Sequence, residues 1–124
     1  MSLRRLSVLQ WLGILAGGSV WFVSYLAGTA VSQAACNPGS ARWGIPHDFV
    51  EGIITGVALL LILGAELAAI VVFRATRGVG EQDPPPQGRL HFFASAALVS
   101  NVIFFMVILL AGIATIVDRT CHQS

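Results

Sequence analysis

The chain has no lysine, and charged residues of every kind fill only 10% of its 124 positions. Soluble domains carry ~25%, so this sequence cannot cover a water-facing surface in the usual way. The seven arginines are nearly balanced by six acids, giving a formal net charge of +1. No basic field is present to attract a nucleic acid. Chelating spacings are also missing. The two cysteines, Cys36 and Cys121, stand far apart, and neither Cys-x-x-Cys nor His-x-x-x-His occurs. Covalent haem attachment needs Cys-x-x-Cys-His, and Asp118 holds the first cysteine's place before Cys121-His122. No nucleophile elbow, phosphate loop, zinc-protease motif or pair of intramembrane carboxylates appears, so nothing speaks for an enzyme or for a resident cofactor.

Hydrophobic residues make up 56% of the chain and gather in three long runs, at about 8–31, 49–73 and 90–117. Each clears the ~20 residues a helix needs to cross the hydrocarbon core of a bilayer. A spanning segment must satisfy its own backbone hydrogen bonds, which selects helices over isolated strands. The expected fold is therefore all-α, an integral membrane three-helix bundle in a single domain over residues 1–124. The first run, preceded by Arg4 and Arg5, exceeds the ~7–15 apolar residues of a secretory signal, and is read as an uncleaved helix.

Arginine placement orients the bundle. Arg4, Arg5, Arg74, Arg77 and Arg89 fall on one side of the three runs, Arg42 and Arg119 on the other. The positive-inside rule then predicts a cytoplasmic N-terminus and a periplasmic C-terminus in a bacterial inner membrane. The segment between the second and third runs contains Pro84-Pro85-Pro86. Three consecutive prolines predict a stiff extended spacer, with a docking motif for a Pro-binding module as the sharper alternative. Asn37-Pro38-Gly39 marks a turn, and Pro46 opens the second helix with His47, Asp48 and Glu51 in its first turns, where negative charge suits a helix N-terminus.

Both cysteines follow a run that exits on the outer side, an oxidising compartment in a bacterium. A structural Cys36–Cys121 disulfide is the leading expectation. Two reduced thiols, or a metal held by Cys36, Cys121, His122, His47 and Asp48, are the alternatives.

Three polar residues interrupt the runs. Glu66 lies eight residues before Arg74, ~12 Å from that helix end. An ionisable group at such depth is a functional candidate, for relaying a proton or for pairing with a partner, against a snorkelling role that only anchors packing. Gln10 is expected at a similar depth, as a candidate partner for Glu66. Asn101, near the middle of the third run, can hydrogen-bond between helices. His91 is expected at the inner end of the third helix, within snorkelling reach of water, as a membrane-interface residue rather than a ligand. Small residues recur at helix-packing intervals, with Gly13, Gly17, Ser24 and Gly28 in the first run, Gly52, Gly56, Gly64, Ala65, Ala68 and Ala69 in the second, and Ala94 and Ala97 in the third. Trp11, Trp21, Trp43 and Tyr25 are expected as interfacial anchors, with Trp21 deeper and packed on a neighbour.

The segment Trp11-Leu12-Gly13-Ile14-Leu15-Ala16-Gly17-Gly18 followed by Trp21, with Cys36, His47 and Cys121 at matching places, resembles small bacterial membrane proteins encoded beside haem-copper cytochrome c oxidase genes. The proline expected near Gly18 in that group is absent. The resemblance implies a non-catalytic accessory subunit or assembly factor of a respiratory membrane complex, a terminal cytochrome c oxidase, whose partners are a larger membrane protein complex and the lipid bilayer. The alternative is a homo-oligomeric small transporter or channel subunit with Glu66 and Asn101 in its path.

Overall fold

The first apolar run continues as helix at both ends. In the computed structural model, which describes residues 2–36, 46–80 and 82–117, α1 spans Leu3–Cys36, α2 spans His47–Ala75 and α3 spans Gln87–Val117. All three are long and apolar enough to cross a membrane. Each also overruns the hydropathy boundaries, because a helix stops where its terminal groups find other partners rather than where lipid ends. Ser2 accepts the Arg5 amide at 3.4 Å and starts α1 well before Val8. Thr76 closes α2, its hydroxyl donating to the Val72 carbonyl at 2.9 Å, and Gly78 then turns the chain at φ 87°. The Pro86 carbonyl accepts the Leu90 amide at 3.1 Å and starts α3.

The prolines do not form the extended rod expected from their sequence. Gly80 and Asp83 close a tight turn (Gly80 N to Asp83 Oδ2 2.9 Å; Asp83 N to Gly80 O 3.0 Å), and Pro85 and Pro86 turn directly into α3. The backbone of Gly88 packs against the Asp83 carbonyl so closely that no side chain fits. Packed neighbouring helices lie ~8–10 Å apart. A straight segment between α2 and α3 would carry the chain away from that contact, and packing overrides the local preference.

Every pair of helices is in contact. Gly13 meets Ala69 and Gly28 meets Glu51, so α1 and α2 run antiparallel; Thr55 meets Gly112 and Thr76 meets His91, so α2 and α3 do too. Trp11 lies on Phe93 and Trp21 on Phe104, both at about 6 Å, which sets α1 and α3 parallel. The buried positions of α2 are Glu51, Ala58, Ile62, Ala65, Ala69 and Val72, and those of α3 include Leu90, Ala94, Ala97, Asn101 and Ile108. These alternate by three and four residues, or by their sum. A 3.5-residue period is the left-handed coiled-coil seam.

Small and polar residues take much of the interior, and most of the large apolar side chains are outside. Leu60, Leu67 and Val99 are all more than 60% exposed, whereas Gln10 and Asn101 are 1% exposed. This distribution is the reverse of a water-soluble core and suits a hydrocarbon surround, where close backbone approach drives association. Two apolar layers punctuate the axis. Leu6, Val72, Leu90 and Ala94 form one, and Ala58, Ile62 and Ile108 the other.

Candidate functional site

Between those apolar layers sits the central polar layer. Asn101 donates from Nδ2 to the Gly13 carbonyl at 2.9 Å, tying α3 to α1. Its Oδ1 packs directly on Gly17, in the place a Cβ would take, and accepts no hydrogen bond among the described residues. Gly13 in turn lets α1 rest on Ala69; a Cβ there would stand 3.3 Å from the alanine methyl and 3.4 Å from its backbone. The Glu66 carboxyl lies beside the Asn101 carboxamide, half-buried, with its Oε2 shielded and without a hydrogen-bond partner among the described residues. Glu66 and Asn101 therefore belong to one site, as two polar side chains on α2 and α3 facing a glycine-lined α1.

Gln10 does not share their depth. With Gly13 on Ala69, the antiparallel register sets Gln10 opposite Val72, six residues along α2 from Glu66, which is ~9 Å of helix rise. Counting from the run boundaries could not give this, because α1 begins at Leu3 and the register is fixed by where Gly13 can approach α2. Gln10 is fully buried, and neither its Oε1 nor its Nε2 has a partner among the described residues. An unpaired buried polar group costs ~1–3 kcal/mol, so Gln10 is retained at a cost in stability.

A second polar layer lies where α2 begins. Glu51, in the first turns of α2, is 5% exposed. Its carboxylate rests on Gly28, with both oxygens within 3.3 Å of where a Cβ would be. Ser32 Oγ lies 3.5 Å from Glu51 Oε1 and 3.1 Å from His47 Nε2, and His47 Nε2 lies 3.6 Å from that same carboxylate oxygen. Asp48 reaches His47 Nδ1 at 3.5 Å from the exposed side. Ser32 was not singled out from the sequence. Its signal was present, since it stands four residues after Gly28 as Glu51 stands four after His47, one helical face opposite another.

The opposite end holds the third layer. His91 stacks on Phe73 with ring centres 5.0 Å apart, and its Nδ1 is 3.0 Å from Thr76 Oγ1. The same hydroxyl is within hydrogen-bond reach of the Val72 and Phe73 carbonyls. His91 thus joins α3 to the end of α2. Trp21 behaves as read, half-buried against Phe104 and stacked on Tyr25.

Cys36 is the last residue of α1. Cys121, and with it the expected bridge, lies outside the described residues, as do His122 and Trp43. Among the described residues no three His, Cys, Asp or Glu side chains are grouped to hold a metal ion.

Comparison with protein-family models, with curated proteins and with solved structures finds no match to this chain.

Proposed function

We propose that the chain is a non-catalytic accessory subunit or assembly factor of a larger respiratory membrane complex, with a terminal cytochrome c oxidase as the complex to which the resemblance points. It would lie in a bacterial inner membrane with its N-terminus in the cytoplasm and its C-terminus in the periplasm, and a Cys36–Cys121 disulfide would join the outer ends of α1 and α3. The observation that carries the reading is a division among the glycines. Gly13, Gly17, Gly28 and Gly112 are each packed against another helix, whereas a Cβ at Gly52, Gly56 or Gly64 on α2 would meet no atom of another helix within 4 Å. The inward glycines build the bundle. The outward set lies on one face of α2 with the exposed Leu60, Leu63 and Leu67, and small residues on a lipid-facing helix surface allow a transmembrane helix of another protein to approach closely.

Purification in mild detergent with mass spectrometry of co-purifying subunits tests this. Wild-type protein is expected to bring down oxidase subunits. Gly56→Leu is expected to lose them while remaining folded, because that position touches nothing in the bundle. Recovery of the chain alone, or unchanged recovery of subunits with Gly56→Leu, would remove the support for a docking role. The homo-oligomeric transporter reading draws less support. Asn101 is consumed inside its own protomer by Gly13 and Gly17, and so is not available to line a path between protomers.

A further inference from the structure

At the end of the bundle where α1 begins, Ser2, Arg4, Arg5, Val8 and Leu9 line an open furrow of about 490 Å³. Both arginines are exposed, and neither guanidinium is paired with a carboxylate among the described residues. Asp83, the one acid described at this end, is engaged by the Gly80 amide at 2.9 Å. In the sequence, Arg4, Arg5, Arg74, Arg77 and Arg89 stand here against Glu81 and Asp83, so positive charge is in excess.

The furrow changes character along the helix axis. Val8 follows Arg4 by four residues and Leu9 follows Arg5 by four, so each arginine stands over an aliphatic side chain. The step from cation to hydrocarbon therefore takes ~6 Å of helix rise. The polar headgroup layer of a bilayer is roughly 5–8 Å deep on each side of its ~30 Å hydrocarbon core. Beyond the furrow, Leu12 and Leu15 are 54% and 58% exposed and continue the apolar surface into the span.

We propose that this furrow binds one anionic phospholipid from the leaflet at that end, with its phosphate between Arg4 and Arg5 and the start of an acyl chain along Val8 and Leu9. The chemistry recognised is a phosphate oxyanion, which a guanidinium holds through parallel N–H···O bonds. Two unpaired arginines favour a headgroup of net negative charge over a zwitterionic one. A free phosphate would use only the charged half of the furrow. The aliphatic half gives it no contact, whereas a lipid carries phosphate and chain in the same order and at the same spacing as the lining. An open furrow also suits a lipid, which enters sideways and keeps most of its surface in the bilayer. The volume lies in the range of small-molecule sites and admits a glycerophosphate headgroup with part of one chain. Arg74 and Arg77, at the end of α2, carry the same charge but are not among the lining residues, and so provide a control.

The test uses the full chain, delipidated in a neutral detergent, with phosphatidylglycerol, phosphatidylcholine and inorganic phosphate as probes. Native mass spectrometry should find one phosphatidylglycerol retained per chain in preference to phosphatidylcholine. The thermal midpoint should rise with phosphatidylglycerol as mass action requires, and inorganic phosphate at equal concentration should not raise it. Arg4→Gln/Arg5→Gln should weaken phosphatidylglycerol binding about thirtyfold, the effect of two interfacial charges. Arg74→Gln/Arg77→Gln removes the same charge from the same end and should leave binding nearly unchanged. Should the first double variant fail to insert, Arg4→Gln and Arg5→Gln singly should each weaken binding about fivefold. Equal retention of the two lipids, or equal weakening by the two double variants, would overturn the site in favour of a diffuse attraction. A midpoint that rises as much with inorganic phosphate as with the lipid would overturn the lipid assignment in favour of a free anion.

Discussion

Asn101 and Gly17 occupy one space. The carboxamide oxygen of Asn101 lies where a side chain at Gly17 would begin, while its nitrogen reaches past to the Gly13 carbonyl at 2.9 Å. The glycine pair on α1 is thus a slot cut to the shape of one amide on α3. The hydrogen bond and the close approach are parts of the same contact.

Their relative weight is measurable. Interhelical hydrogen bonds in membrane bundles are worth ~0.6 kcal/mol on average, with a maximum near ~1.7. Forcing an extra carbon into a packed contact costs ~1–3 kcal/mol. Gly17→Ala should therefore destabilise the bundle more than Asn101→Ala, because its new methyl meets Asn101 Oδ1 and stands 3.1 Å from Phe104 Cδ2. In the double variant the methyl has lost its main obstacle, so the two costs should fall short of their sum by ~1 kcal/mol. Unfolding titrations in mixed micelles on all four proteins give the cycle. Strictly additive costs would mean that the two residues do not share the space.

Much of this architecture was readable before the structure, for definite reasons. Three uninterrupted apolar runs leave a chain little choice but three long helices, and their number and order follow directly. Their ends did not, because caps such as Ser2 and Thr76 lie outside the runs and carry no hydropathy signal. Asn101 and Glu66 were visible as polar residues within apolar surroundings. What could not be seen was the phase of each helix. On α2 the glycines 52, 56 and 64 and the alanines 58, 65 and 69 are equally small, yet the first set faces out and the second in. Only the joint packing of three seams decides between them. The burial of Glu51 was hidden for the same reason. Its burial depends on the absence of a side chain at Gly28, on another helix.

Topology is open to a direct experiment. The up-down-up connectivity brings the start of α1, the end of α2 and the start of α3 to one end of the bundle, and Arg4, Arg5, Arg74, Arg77 and Arg89 come with them. The positive-inside rule predicts that this end faces the cytoplasm. A reporter active only in the periplasm should be silent when fused after Gly80 and active when fused after Ser124. Activity from the Gly80 fusion would invert the orientation, and with it the compartment assigned to both cysteines.

The disulfide depends on that compartment. An even span count between Cys36 and Cys121 delivers both to one side, and an oxidising periplasm would keep them bridged. Closing so long a loop would contribute roughly 2–4 kcal/mol. Intact-mass spectrometry without reductant should find the chain lighter by two hydrogens than after reduction. Cys36→Ser should lower the thermal midpoint of the oxidised protein and leave that of the reduced protein nearly unchanged. Alkylation of both thiols in unreduced protein would exclude the bridge.

Glu66 separates a packing role from a working one. Its carboxyl is half-buried in the middle of α2 with one oxygen unpartnered among the described residues, and its neighbour Asn101 divides its side chain between this carboxyl and the Gly13 carbonyl. A carboxyl within a span costs up to ~3 kcal/mol on insertion scales, and nothing in the bundle offsets this cost fully. Glu66→Leu should therefore insert as well as wild type or better, and should raise the stability of the isolated chain. If the carboxyl serves only the fold, complex formation should be unaffected. The accessory-subunit reading predicts otherwise, because a residue kept at such cost is best explained by a polar group on the partner that completes it. Co-purification of partner subunits should then fall with Glu66→Leu and be partly retained with Glu66→Gln, which preserves shape and hydrogen bonding while removing the charge. Full co-purification with Glu66→Leu would show that the partner does not use this residue, and would leave the outward glycine strip of α2 as the contact to pursue.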